Sequence, residues 1–175
     1  MSGRNEGLCV LAPIADGHEQ ALRDRLRALP TGLGSPLAGV PGTHFARWAI
    51  VALEDKDGQP LAEPPRQLLF SAEFDGELEP YVAALCVELG AEARAIWSHC
   101  AGCPVESDRG LAKYLLEHRV PPGYSVVAYP DATVEDVRAS LALRDLMTEF
   151  VMKAAALDPP ALKRTWLDSF RGVGR

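Results

Sequence analysis

The hydrophobic pattern at the start of the chain changes from strand-like to helix-like spacing. Residues 8–14 form a short, nearly all-apolar run, which is typical of a strand covered on both faces. Leu22, Leu26 and Leu29 then recur at helical spacing. Asp16 supplies an N-cap carboxylate ahead of them, so the pattern predicts a first strand followed by a first helix.

The middle of the chain predicts two more strands and a second helix. A loop rich in glycine and proline leads into residues 43–51, which form an apolar, β-prone run. Residues 54–66 contain charges and prolines typical of an exposed loop, and residues 68–74 return as a third strand. An apolar stripe at helical spacing over residues 78–89 predicts the second helix.

The last part of the chain predicts an insertion, one strand and a helical end. Residues 91–120 contain two short helical patterns and a cysteine-rich turn, and they form an insertion. The alternating run Tyr124–Tyr129 predicts the fourth strand. Residues 133–170 predict a long helix and, after a double proline, an amphipathic helical tail.

This order of elements predicts an α+β fold. It corresponds to a ferredoxin-like β-α-β-β-α-β antiparallel sheet, with a helical insertion before the last strand and extra C-terminal helices. We expect a single domain over residues 1–175, whose core spans residues 8–130 and whose C-terminal helices span residues 133–170.

One face of such a sheet carries no helices. On the first strand Leu8 and Val10 point to one side while Cys9 and Leu11 point to the other, so both directions are apolar. An apolar face needs a cover. We expect a second subunit, the C-terminal helices or a bound ligand to provide it, and we expect a homodimer.

Composition and charge exclude several classes of function. The chain has 175 residues, 47% of them hydrophobic, and a net charge of -6 without a concentrated basic stretch, which argues against a nucleic-acid partner. It has no apolar run of about 18 residues and a polar start, so we expect a cytoplasmic protein without a membrane span. The four cysteines are expected to be reduced thiols.

The first candidate site combines the second and third strands. Strict alternation sends His44 and Trp48 to one face and Thr43 and Arg47 to the other. An imidazole beside an indole can ligate a metal or stack on a flat ligand, and an arginine can anchor a carboxylate. Glu73 on the third strand joins this ligand-binding set as a polar group of the bare face. The purely structural alternative makes Trp48 core packing, His44 a hydrogen-bonded side chain, Arg47 a salt-bridge partner and Glu73 a solvated carboxylate.

The second candidate site is the turn that contains His99, Cys100 and Cys103. Two thiols at this spacing can share a metal ion or close a redox disulfide, and the histidine can be a third ligand. A structural zinc site needs about four ligands, and the chain has no second motif of this kind. The alternative is a turn with ordinary thiols.

The chain resembles a bacterial family linked loosely to peroxidase-type haem proteins. The resemblance rests on residues 8–14, 40–48, 69–76 and 96–100. It implies kinship with the dimeric α/β-barrel proteins, which include dye-decolourising peroxidases and chlorite dismutase-like enzymes. It implies haem as a cofactor, and the cysteine-rich turn leaves a metal ion as the other cofactor to expect. The G-x-x-D-G motif of dye-decolourising peroxidases lacks its aspartate in residues 42–46, so the resemblance transfers no peroxidase mechanism.

Three functional hypotheses follow. The first is a small-molecule-binding protein, a haem-linked redox enzyme or its accessory, whose ligand lies on the open sheet face near His44, Arg47, Trp48 and Glu73. The second is a metal-binding or thiol-redox module built on His99, Cys100 and Cys103. The third is a non-catalytic interaction subunit.

Overall fold

The computed structural model describes the following residues: 5–52, 65–121, 123 and 126–171. By its contacts the chain divides into two compact units, residues 1–131 and residues 132–175. The division lies between the predicted core and the predicted C-terminal helices. Most of the long loop predicted over residues 54–66 lies outside the described residues.

Three antiparallel strands form the sheet of the first unit. They are β1 (Asn5–Pro13), β2 (Thr43–Ala52) and β3 (Arg66–Asp75), in the spatial order β1-β3-β2. All three predicted strands in this part of the chain are therefore confirmed. Because β3 lies in the middle, it hydrogen-bonds to strands on both sides, while β1 and β2 form the two edges.

Four helices belong to the same unit: α1 (Glu19–Ala28), α2 (Leu78–Leu89), α3 (Ala91–Trp97) and α4 (Asp108–Glu117). Helix α1 begins two residues later than predicted, because His18 and not Asp16 occupies the N-cap position. Gly90 ends α2 and starts α3 with a φ of 49°, a conformation that favours glycine. Two 3-10 turns, Gly32–Gly34 and Pro36–Gly39, connect α1 to β2.

The hydrophobic core lies between the helices and one face of the sheet. Alternate residues of the strands are buried there, among them Val10 and Phe70, and they meet apolar residues of the helices such as Leu85, Trp97 and Leu111. The burial alternates strictly along β3, which is the pattern of a strand with one covered face. The expectation of a sheet with a helix-covered face is confirmed.

The outer edge of β1 is closed by short segments of the insertion. The backbone N–H of Leu11 donates to His118 at 3.0 Å, and that of Val120 donates to Cys9 at 2.8 Å. Farther along the strand, Ala101 N–H donates to Pro13 at 2.8 Å. These bonds occupy the edge on which a further strand would have to pair.

The predicted fourth strand is wrong for residues Val126–Tyr129, which lie outside any strand. Tyr124 and Ser125 lie outside the described residues. Residues 118–120 already hydrogen-bond to the outer edge of β1, so a fourth strand has no free edge to pair with there. Alternation within a segment does not show whether such an edge is free. In its described part the protein is a mixed α+β chain with a three-stranded antiparallel sheet and six α-helices.

The second unit consists of α5 (Val134–Ala154) and α6 (Pro159–Ser169), as the periodicity predicted. Thr133 and Asp136 form a capping box at the start of α5. Phe150, Trp166 and Phe170 meet edge to face or tilted, with ring centroids 4.3 to 5.6 Å apart. No described helix has the length and apolarity that crossing a membrane requires.

Candidate functional site on the open sheet face

The sheet face opposite the helices, here called the open face, is lined by alternate residues of all three strands. They are Gly7, Cys9, Leu11 and Pro13 on β1, Phe45, Arg47, Ala49 and Val51 on β2, and Gln67, Leu69, Ser71 and Glu73 on β3. None of these residues is buried, and none of the apolar ones packs against the hydrophobic core. The open face is therefore a surface of mixed apolar and polar residues that the core does not use.

One end of the open face is apolar across its whole width. The strand register places Leu11, Leu69 and Ala49 in one row, because Leu69 lies opposite both of the others. The next row contains Val51 opposite Gln67. Side chains in adjacent rows are about 6.6 Å apart along the strands, which makes this end a continuous patch for apolar contact.

The other end of the open face carries the charged and polar groups. Arg47 lies opposite Ser71, which in turn lies opposite Cys9, and Glu73 occupies the neighbouring row with Phe45. The guanidinium carbon of Arg47 lies 5.7 Å from the ring centroid of Phe45. Neither Arg47 nor Glu73 forms an ion pair with another residue in the described part of the chain. The salt bridge of Arg47 with a helix, one of the structural alternatives, is not found among these residues.

Trp48 lies on the helix-covered side of β2. Its ring centroid is 5.3 Å from that of Phe70 and 5.9 Å from that of Trp97, so the indole is part of an aromatic cluster under the sheet. The indole nitrogens of both tryptophans are buried without a hydrogen-bond partner among the described residues. This position agrees with the core-packing alternative for Trp48.

His44 occupies a β-bulge at the start of β2. The register shifts between Thr43 and Phe45, and Nε2 of His44 lies 2.7 Å from Oδ1 of Asp75 at the end of the sheet. The bulge also makes the predicted alternation wrong for Thr43, which pairs with Phe74 on the helix side instead of sharing the face of Arg47.

The four predicted ligand-binding residues are therefore only partly brought together. Arg47 and Glu73 share the open face in adjacent rows. Trp48 faces the opposite way, and His44 is four residues from it, about 13 Å along an extended strand. Sequence reasoning missed Ser71 and Cys9 as neighbours of Arg47. Strand alternation was a sufficient signal for both once the pairing of β3 with β2 and with β1 was known.

A cleft of about 250 Å³ adjoins the outer edge of β2. Leu26, Leu29 and Leu37 form its apolar wall, and Arg47 and Trp48 form its side toward the sheet. It is smaller than most pockets for drug-sized ligands, which measure about 300 to 1,000 Å³. Arg47 thus borders both this cleft and the open face.

The cysteine-rich turn holds its thiols inside the protein. Cys100 is 4% exposed and Cys103 half-buried. Burial raises the pKa of Cys100 to about 12 and that of Cys103 to about 11. Both thiols are therefore protonated near neutral pH, and a thiol is a far poorer nucleophile and metal ligand than a thiolate.

The His99 imidazole lies beside a different residue, His18, with the two Nδ1 atoms 3.2 Å apart. No group of three or more His, Cys, Asp or Glu side chains in the described part of the chain is arranged to hold a metal ion. The structure thus does not bring His99, Cys100 and Cys103 together as one set of ligands.

The residues do not fit a haem. His44, the histidine of the first candidate site, is hydrogen-bonded through Nε2 to Asp75 at the end of the sheet. The cleft beside β2 is too small for a porphyrin.

The fold and this surface define a class, an α+β protein whose sheet has one helix-covered face and one open face. Comparisons with family models, with curated proteins and with solved structures find no match to the chain.

Proposed function

We propose that the protein binds a small molecule on the open face of its sheet. The ligand class is an apolar, preferably aromatic, molecule with an anionic group. The observation that carries the proposal is the arrangement of an apolar end, with Leu11, Leu69 and Ala49, next to Arg47 and Glu73, which have no ionic partners among the described residues.

The two ends of the surface have different roles in this proposal. The row around Leu69 contacts the apolar body of the ligand, since removing apolar area from water contributes about 25 cal/mol per Å². Arg47 binds the anionic group through its fork of N–H donors. Glu73, as an acceptor, orients a ligand hydroxyl or amine on the adjacent row.

A second copy of the chain is the proposed cover. Two such three-stranded sheets that meet face to face would exclude water from the apolar rows, an arrangement like that of the dimeric α/β barrels that the sequence resembles. The β1-β3-β2 order of antiparallel strands supports this topology. Arg47 and Glu73 also support a dimer. A two-fold axis places the positive Arg47 and the negative Glu73 of one copy against the open face of the other copy.

The binding test uses 8-anilinonaphthalene-1-sulfonate, an aromatic anion that fluoresces when it leaves water. We expect Arg47→Gln to weaken binding about tenfold, because a hydrogen bond to a charged group contributes about 1.5 kcal/mol or more. Arg109→Gln is the matched control, since this exposed arginine lies on α4. Equal affinity of the wild type and Arg47→Gln would reject the proposed site.

The second unit favours a rival interface. Trp166 and Leu167 on α6 are 42% and 53% exposed, and Phe150 and Leu162 line an apolar cleft of about 340 Å³ beside them. This surface is the specific observation behind the interaction-subunit hypothesis.

Light scattering after size-exclusion chromatography separates the two interfaces. We expect a dimer for the wild type and for Leu167→Lys, and a monomer for Leu69→Lys, which places a charge in the middle of the open face. The opposite result, a dimer that dissociates in Leu167→Lys and persists in Leu69→Lys, would place the interface on the helices. The open face would then lack its proposed cover.

A further inference from the structure

Two histidines that are distant in sequence lie next to each other in the first unit. His18 occupies the N-cap position of α1, and His99 follows α3. Their Nδ1 atoms are 3.2 Å apart and their rings are inclined by 68°. His18 is exposed and His99 is partly buried, so the pair is reachable from solvent on one side.

Backbone hydrogen bonds hold both residues in place. The N–H of Ala15 donates to the carbonyl of His99 at 2.9 Å, and the N–H of His18 donates to the carbonyl of Ala15 at 3.0 Å. A further bond joins Ala101 N–H to Pro13 at 2.8 Å. The two imidazoles are thus positioned by the scaffold before any ligand arrives, which reduces the entropy lost on binding.

We propose that His18 and His99 form a binding site for a divalent transition metal that prefers imidazole, Zn²⁺ or Cu²⁺, with the two Nδ1 atoms as ligands. Zinc binds imidazole nitrogen at about 2.0 to 2.1 Å, so two nitrogens of a tetrahedral site lie about 3.3 Å apart. Adjacent nitrogens of a square-planar copper site lie about 2.9 Å apart. The observed separation of 3.2 Å lies between these two values.

The cation that acts on His99 from nearby is itself paired. Arg25 lies close enough to His99 to interact with it electrostatically. Arg25 is the nearby cation, and the carboxylate of Glu92 holds it through two hydrogen bonds of 3.1 and 3.2 Å. This ion pair offsets the repulsion that Arg25 would exert on a metal ion.

The site differs from the cysteine-based one that the sequence suggested. Cys100 is buried and Cys103 half-buried, and both thiols are protonated near neutral pH, whereas His18 is exposed and His99 is partly exposed to solvent. With two protein ligands the metal keeps open coordination positions, which water or a small anion fills. Such a site resembles catalytic or regulatory metal centres more than closed structural ones.

Isothermal titration of the full chain with zinc chloride near neutral pH tests the site. We expect one equivalent of zinc to bind, and His18→Gln and His99→Gln each to weaken binding at least about tenfold, since losing a hydrogen-bond partner of a ligand already costs that much. The chain has four histidines. The other two serve as controls, because His44 is bonded to Asp75 and His118 to the carbonyl of Tyr114.

Zinc binding should therefore persist in His44→Gln and His118→Gln. The double variant Cys100→Ser, Cys103→Ser separates this site from a thiol site and should also retain zinc. As a second readout, the electron paramagnetic resonance spectrum of Cu²⁺ should show coupling to two nitrogens, and His18→Gln, at an exposed position, should reduce it to one. A folded wild type that binds no zinc, or zinc binding lost with the cysteines and kept in His18→Gln, would overturn the proposal and leave the pair as an N–H to N hydrogen bond.

Discussion

The carboxylate of Glu73 lies over the backbone of Gly7 on the open face. A Cβ atom on residue 7 would be 3.3 Å from both carboxylate oxygens, and the two residues face each other across β1 and β3. The missing side chain at Gly7 therefore determines where the negative charge of Glu73 lies. This position keeps the charge beside the row that contains Arg47.

Replacing Gly7 with alanine should stabilise the protein less than the same change at Gly39. At Gly39 a Cβ meets nothing within 4 Å, so alanine should add about 0.4 to 1 kcal/mol by restricting the unfolded chain. At Gly7 this gain is opposed by displacement of the Glu73 carboxylate. Urea unfolding of both variants measures the difference, and adding Glu73→Ala should restore the full gain at Gly7. Equal stabilisation by the two alanine substitutions would show that the Glu73 carboxylate moves away from residue 7 without a cost in free energy.

The hydroxyl groups of Thr43 and Tyr81 lie 3.0 Å apart and join β2 to α2. Thr43→Val should lower the free energy of unfolding by about 1 kcal/mol, the usual contribution of one such hydrogen bond. It should also raise the pKa of Tyr81. Burial already raises that pKa, and the bond to Thr43 opposes the rise by stabilising the phenolate. Ultraviolet titration of tyrosinate checks the shift, with Tyr81→Phe identifying the signal; an unchanged pKa would contradict the bond.

Most of the sheet was predictable from the sequence, for a physical reason. Alternation of apolar residues reflects a strand with one face on the core, and the predicted runs 43–51 and 68–74 correspond to Thr43–Ala52 and Arg66–Asp75. The same alternation put Arg47 and Trp48 on opposite faces of the second strand, as they are in the structure. It failed at Thr43, because a β-bulge inserts one residue without a distinctive composition.

Long-range pairing was the part that the sequence could not supply. His18 and His99 are 81 positions apart, and the backbone bonds between the two loops, with the Arg25–Glu92 ion pair, bring their imidazoles together. The predicted fourth strand failed for a related reason. Local alternation over Tyr124–Tyr129 does not reveal that residues 118–120 already occupy the edge of β1.

Trp97 is the largest fully buried side chain of the core, and its indole nitrogen lacks a hydrogen-bond partner among the described residues. Trp97→Ala should therefore cost about 3 to 5 kcal/mol through lost burial and a cavity. Trp97→Phe should cost much less, because it removes a buried, unsatisfied donor along with part of the ring. Denaturant unfolding of both variants measures the two values. Similar costs would indicate that the indole N–H has a partner after all.

The buried thiols should make the protein less stable in alkali. Burial raises the pKa of Cys100 to about 12 from an ordinary 9.0, and it raises that of Cys86 to about 12 as well. The folded state therefore keeps these protons at a pH where the unfolded chain releases them. Stability is complete below the unfolded pKa of 9.0 and falls as the pH rises from there toward about 12.

Each such thiol contributes a slope of at most about 1.4 kcal/mol per pH unit to this loss. Replacing Cys100 with alanine should make the decline of unfolding free energy above about pH 9 shallower by up to that amount. Cys9→Ala is the matched control for the loss of one cysteine, because Cys9 lies on the open face outside the core. Urea unfolding in a pH series supplies the slopes, and equal slopes for Cys100→Ala and the wild type would mean that the Cys100 thiol titrates normally in the folded protein.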